Sequence, residues 1–305
     1  MRRRVRSQLV SLAISFGLGP LLLAIAPPAC RGGGSAHEAA AGPRAPAPKA
    51  PGPALAPLVD RYRLAGCRDR GAAAYRHGPR RKEVAIGFDD GPSPQTQAFV
   101  EMLERNRARA TFFVIGRLLS SRYTAVLDRE LRDGDAIGDH TFSHPDLVRS
   151  RGATAQLQRT IGVVRALSGY TPCVFRPPYG SYDRVVVRDA GALGLATVLW
   201  NVDPADYSQP GTAAIVRRVL AQVQPGSIIV SHDGGGRRTQ TLAAYPRIIG
   251  ALRARGYRIV TVPELLGFRP VYVPCVRLCD ARGVGLRQLP RGAVIEGPRS
   301  RFDAG

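Results

Sequence analysis

Lysine is almost absent: Lys49 and Lys82 are the only two in 305 residues. Acidic residues are also scarce, 23 against 44 basic ones, so the formal net charge of +21 is carried almost entirely by arginine. A field of that sign attracts nucleic acid, anionic lipid or acidic polymer. The chain has no interleaving of aromatic with basic residues and no recognisable nucleic-acid module, so a nucleic-acid partner is not expected. It has no internal repeat either. What it does have is a hydrophobic fraction of 44%, which rules out a wholly disordered or fibrous chain. The length suits one large domain with attachments, or two small domains.

The N-terminal segment indicates export. Arg2, Arg3, Arg4 and Arg6 precede an uncharged, mostly apolar stretch over 9–26, the order of an export signal. Pro20 and two glycines interrupt that stretch, which is long for a cleaved signal and short for a bilayer span. Residues 1–30 are therefore read as an export signal or a membrane anchor, and Cys30 leaves lipid attachment open. An extracellular or cell-surface location follows. Residues 31–57, with Pro43, Pro46, Pro48, Pro51, Pro53 and Pro57, form an extended semi-rigid linker. A basic lead-in over 58–81 precedes the main domain over 82–268, and 269–305 is a basic tail that either straps the domain or trails. Cys67, Cys173, Cys275 and Cys279 can form two disulfides in any of three pairings. The spacing of Cys275 and Cys279 suggests metal, but no second pair or nearby histidine completes such a site.

From Lys82 onward the pattern alternates. Short runs rich in β-branched and aromatic residues at 84–88, 110–115, 136–138, 173–175, 197–202, 227–231 and 258–262 read as buried strands. Helical stripes lie between them. Ser93 is placed to cap a helix with Pro94 at its first position and Phe99, Met102 and Leu103 on one face. Leu157, Ile161 and Val164 form another stripe, ended by Gly169; Ile215, Val216, Val219, Leu220 and Val223 form a third. This alternation predicts a parallel sheet covered by helices, either open or closed into a barrel. The polar residues favour the barrel. Asp89, Asp90, His140, His144, Arg176, Asp203 and His232 all fall at strand ends, and in a barrel all of these ends open onto one rim. Seven strands instead of eight leave the wall incomplete.

Those rim residues suit a metal-assisted hydrolase. Adjacent carboxylates such as Asp89 and Asp90 repel each other, so a cation commonly neutralises one while the other keeps a different task. His140 and His144 are four apart; on one helical turn they could grip one ion, although Pro145 disfavours helix at His144. The zincin protease pattern needs Glu at the second position, where Thr141 stands. Two imidazoles and one carboxylate make an open zinc site, and also describe non-haem iron oxygenases. The second carboxylate favours hydrolysis. Arg176, before Pro177 and Pro178, suits a fixed cation that orients a carboxylate, and His232 suits a general acid.

Taken together, Phe88-Asp89-Asp90-Gly91-Pro92, His140 to His144, Arg176 to Tyr179, Asp203 to Tyr207 and Ile229 to His232 resemble the polysaccharide deacetylases, the NodB-homology or carbohydrate esterase family 4 group. The resemblance covers 82–266. It implies a distorted, incomplete (β/α)7 barrel and a divalent metal, usually zinc, with cobalt or another divalent ion as alternatives. It also implies removal of N-acetyl groups from N-acetylglucosamine polymers such as peptidoglycan or chitin; a monomer is expected. A xylan-type O-acetyl esterase and a catalytically silent glycan-binding module are the alternatives, and an anionic cell-wall polymer is a further partner suggested by the charge. Carried over by position, Asp90, His140 and His144 are metal ligands and Asp89 is the base, held by Arg176. His232 is the acid, tuned by Asp203 or alternatively by Asp206, and the Tyr179 amide completes an oxyanion hole. Two departures stand out: Gly87 where Thr is usual, expected to matter little, and Tyr207 in place of Trp, expected to affect substrate preference.

Overall fold

The computed structural model describes residues 61–68, 73–274, 284–285 and 293–296. The export segment, the linker, Cys30, Cys275 and Cys279 lie outside the described residues. The chain enters through β1 (Arg61–Arg68) and β2 (Ala74–Tyr75). It then alternates through β3 (Glu83–Gly91), α1 (Thr96–Arg105), β4 (Thr111–Val114), α2 (Thr124–Asp133) and β5 (Ala136–Asp139). There follow α3 (Leu147–Ser150), α4 (Ala153–Ser168), β6 (Val174–Phe175), α5 (Arg184–Ala192) and β7 (Ala196–Val198). Next come α6 (Thr212–Gln222), β8 (Ile228–His232), α7 (Thr239–Ala254), β9 (Arg258–Val260) and α8 (Val262–Leu265). The C-terminal strands are β10 (Arg269–Pro274), β11 (Val284–Gly285) and β12 (Val294–Ile295).

All seven expected strands form, and the sheet is the expected incomplete barrel. Its order is β2-β7-β6-β5-β4-β3-β8, every pairing is parallel, and β9 pairs with residues 83–85 at the start of β3. Between β7 and β8 the ladder is replaced by single bridges, His77 with Ser227 and Val202 with Ile229. The strands are buried on both faces, as parallel strands under helices must be, so they read as apolar runs and not as alternations. In β3 every residue but Glu83 and Asp90 is buried. Ile86 and Phe88 turn outward to the helices, into a cluster with Phe99, Leu103, Phe112, Tyr245 and Ile248. Ala85 turns the other way, into the curl, with Phe113, Val174, Val198, Ile228 and Phe268. This two-residue period fixes which side chains reach the rim from inside.

Some local expectations shift. The first helix begins at Thr96 and not at Pro94, because Ser93 is used in a turn: its Oγ accepts from the Gln95 amide at 3.0 Å and donates to the Asp233 carbonyl at 2.6 Å. The run at 197–202 is strand only to Val198. Gly169 ends α4 in the left-handed region, as expected.

The lead-in and the tail pair with each other. Strand β1 lies antiparallel to β10, with Tyr62 opposite Pro274 and Arg68 opposite Arg269, inside a second sheet of order β11-β1-β10-β12. Of the possible cysteine pairings, the structure shows Cys67 bonded to Cys173 across 106 residues. Closing a loop of that size restrains the unfolded chain by about 4.7 kcal/mol in the chain-entropy picture. The bond also ties β1 to the segment that leads, three residues later, to Arg176. No helix among the described residues is long and apolar enough to cross a membrane.

Candidate active site and metal centre

Strand alternation would send Asp89 and Asp90 to opposite faces of the sheet. It does not, because the β3–β4 register slips between Asp89 and Gly91, and Asp90 takes a left-handed φ of 70°. This bulge brings both carboxylates to the same rim. Asp89 is 3% exposed and lies in register with His232 on the neighbouring β8. The loop after β8 then closes tightly on Asp90: a Cβ on Gly235, whose φ is +67°, would collide with the Asp90 carboxylate. Arg238, itself buried, holds this loop down by donating to the carbonyls of Gly234 at 2.6 Å and Gly235 at 3.0 Å. Sequence reasoning missed Arg238 and the glycines. Three consecutive glycines directly after His232-Asp233 were the available signal.

His140 and His144 converge on Asp90 without a helix. Thr141 (φ 67°) and His144 (φ 63°) are both left-handed, and the resulting loop is closed by the His144 amide donating to Thr141 Oγ1 at 2.9 Å. Asp139, buried behind it, accepts from the Thr141 amide at 2.7 Å; burial pushes its carboxyl well above the usual range. The two rings end with centroids 4.9 Å apart. His140 Nδ1–H donates to the Arg176 carbonyl at 2.7 Å, which leaves the Nε2 lone pair facing Asp90. Nε2 lies 3.5 Å from Asp90 Oδ1 for His140 and 3.2 Å for His144. His144 Nδ1 is hydrogen-bonded to the Tyr179 hydroxyl at 3.2 Å.

These residues fit a divalent cation. Asp90 Oδ1 is buried and has no conventional hydrogen-bond partner among the described residues, yet two imidazole nitrogens face it. The three ligand atoms all lie within 4.8 Å of one another. Burial alone would raise the Asp90 carboxyl, but His140 and His144 outweigh it and hold the group far below the usual carboxylate range. The result is an anionic oxygen and two nitrogens around one point, the donor set of an open zinc-type site.

Asp89 stands beside this cluster, with Oδ2 4.0 Å from His140 Nε2. Its other oxygen accepts from Arg176 Nη1 at 2.7 Å. Arg176 is fully buried, and its guanidinium lies 4.0 Å from the Phe113 ring centroid. After Pro177 and Pro178 the chain turns at Tyr179 (φ 61°), which is 72% exposed and sets its ring edge-on to His144 at 4.8 Å.

Across the rim, the partner of His232 is Asp206 and not Asp203. His232 Nδ1–H donates to Asp206 Oδ1 at 2.7 Å, and the His232 amide donates to Oδ2 at 3.0 Å. Thr241 Oγ1 also donates to that oxygen, at 2.8 Å. Asp203 is used by the turn: its carboxylate accepts from the Ala205 amide at 2.7 Å, and Ala205 in the left-handed region swings the chain so that Asp206 arrives beneath His232. Burial lowers the His232 pKa, but the Asp206 hydrogen bond and the charges of Asp206, Asp89 and Asp90 raise it further, for a net rise above the ordinary value. Tyr207 is 56% exposed, with its ring perpendicular to His232 at 5.8 Å.

Comparison with known proteins finds similarity to polysaccharide deacetylases. The family profile described as polysaccharide deacetylase matches residues 76–198. A peptidoglycan-N-acetylglucosamine deacetylase of Bacillus cereus is 38% identical over 200 residues, covering 62% of this chain and 90% of the relative. A chitooligosaccharide deacetylase of Sinorhizobium fredii is 38% identical over 204 residues, covering 62% and 94%. The crystal structure of the Bc1960 peptidoglycan N-acetylglucosamine deacetylase superposes with a TM-score of 0.61 at 32% identity, over 65% of this chain and 94% of that one.

Proposed function

Because the chain belongs to the polysaccharide deacetylase family, we propose that it is a metal-dependent hydrolase that removes N-acetyl groups from N-acetylglucosamine units of peptidoglycan or chitin-type glycan. The observation that carries this reading is the orphaned Asp90 Oδ1 facing two imidazole nitrogens, next to a second carboxylate clamped by a buried arginine. Asp90, His140 and His144 hold the metal, and their two-nitrogen, one-oxygen set suits zinc. Once bound, the ion supplies Lewis-acid activation of a water and of the acetyl carbonyl.

The remaining steps belong to side chains. Asp89, kept in place by Arg176 through one oxygen, takes the proton of the attacking water on the other. The Tyr179 amide, at the turn above His144, donates to the developing oxyanion, and one such donor is worth roughly 3 kcal/mol. His232 gives its proton to the departing sugar amine, which would otherwise leave poorly. Asp206 orients that imidazole by occupying Nδ1, so Nε2 is the nitrogen that serves the substrate. The products are acetate and a free amine on the glycan.

An exported setting is supported by the arginine-led apolar segment over 9–26 and by the Cys67–Cys173 bond, which persists in oxidising compartments. The excess of arginine would hold a monomeric enzyme near anionic wall polymer.

Acetate release tests the substrate assignment. The zinc-loaded protein should release acetate from N-acetylated chito-oligomers or peptidoglycan, lose that activity with chelator and regain it with added zinc. Release from acetylated xylan alone would replace this reading with an O-acetyl esterase.

The pH dependence has a definite sign. His232 must carry its proton to act, and its pKa is raised, so turnover persists below that raised value and falls as pH rises through it. Asp206→Asn removes the largest raising contact and should move the alkaline limb of the kcat profile to lower pH. If the limb does not move, it belongs to another group.

A further inference from the structure

Gly87 lies two residues before Asp89 on β3, so both positions face the inside of the curl. A Cβ on Gly87 would sit 2.5 Å from Arg176 Nη1, 2.7 Å from Nη2 and 3.0 Å from Cζ. In this chain the guanidinium therefore occupies the volume that a β-carbon at this place would need. A second surface, the Phe113 ring, meets it at 4.0 Å, and Trp200 approaches at 5.8 Å. Hydrogen bonding alone does not explain how the group is held. Among the described residues Arg176 Nε and Nη2 are buried without a partner, and Nη1 makes the one side-chain hydrogen bond, to Asp89 Oδ1. A planar cation with a single bond could still swing about it. The walls of the slot stop that motion, and one wall is bare backbone.

We infer that Gly87 is a positioning residue for deacetylation: its missing Cβ opens the slot from which Arg176 reaches Asp89 and keeps that carboxylate beside the metal cluster. The inference deepens the deacetylase reading and rests on it. It also reverses the expectation that a departure at this strand position has little consequence.

Gly87→Ala tests it, together with Arg176→Ala and the double variant. In the otherwise native chain Gly87→Ala should lower kcat for chito-oligomers about 100-fold, the order expected for a displacement near 1 Å. KM and the one-ion metal content should stay unchanged, because Asp90, His140 and His144 do not touch Gly87. In the Arg176→Ala background the same change should cost nothing further, since the added methyl then has room. Thermal unfolding provides a readout independent of activity: the destabilisation caused by Gly87→Ala should likewise vanish in the Arg176→Ala background. A Gly87→Ala chain that does not fold while the double variant folds as well as Arg176→Ala reports the same collision. Wild-type kcat in Gly87→Ala, or an equal loss in both backgrounds, would overturn the inference. A wild-type chain that released no acetate would sink the deacetylase reading instead, and the unfolding cycle would still decide whether Gly87 and Arg176 collide.

Discussion

Asp89→Asn will keep its metal and lose its turnover. Asparagine has the size of aspartate, and its carbonyl oxygen still accepts from Arg176 Nη1, the 2.7 Å contact that fixes the residue in the fold. Asp90, His140 and His144 are untouched, so metal content should remain at the wild-type value. What disappears is a group able to take a proton, and general-base catalysis contributes roughly 100- to 10,000-fold in rate. A loss of kcat in that range, with KM nearly constant, is the expected result. Some stability should also go, because Arg176 is fully buried and loses its counter-charge; breaking a buried pair outright costs about 3–5 kcal/mol, and the retained hydrogen bond reduces that. Thermal unfolding separates this effect from catalysis. Acetate release near the native rate would show that another group is the base.

His140→Ala should remove metal and activity together. Its Nε2 is one of the three ligand atoms, and its Nδ1–H is bonded to the Arg176 carbonyl at 2.7 Å. The substitution thus deletes a donor and also frees the backbone of the residue that clamps Asp89. Disturbing only the outer partners of a metal ligand commonly costs 10- to 100-fold in affinity, so losing the ligand itself should cost more. The purified variant is expected to carry almost no zinc by elemental analysis and to show no detectable acetate release, even with zinc added. Stoichiometric zinc in this variant would mean that the cluster is not the site. Set beside Asp89→Asn, the pair of results distinguishes holding the ion from using it.

The contrast between these neighbouring residues shows what the sequence could convey. The seven strands were legible because parallel strands buried on both faces leave continuous apolar runs such as 84–88 and 227–231. The rim residues were legible because each follows one of those runs. Backbone conformation was not. Pro145 already argued against a helical turn at His144, but nothing in His140-Thr-Phe-Ser-His144 announces that Thr141 and His144 adopt the left-handed angles of the loop that forms. Asp203 was preferred to Asp206 for a similar reason: an alanine at 205 does not advertise the left-handed turn that decides between them. Pairings across long stretches of chain were also hidden. The 61–68 and 269–274 segments carry no periodicity that would match them, and the Cys67–Cys173 bond was one of several choices. The closeness of Arg176 to Gly87 was hidden because a strand pattern records which way a residue faces, and not what crosses the sheet to meet it.

The most direct test is anomalous diffraction at the zinc edge from crystals of the zinc-loaded protein. The account predicts a single ion bonded to Asp90, His140 and His144, with Asp89 outside the coordination sphere and still bonded to Arg176. An ion bound elsewhere, or one that takes Asp89 as its ligand in place of Asp90, would contradict it.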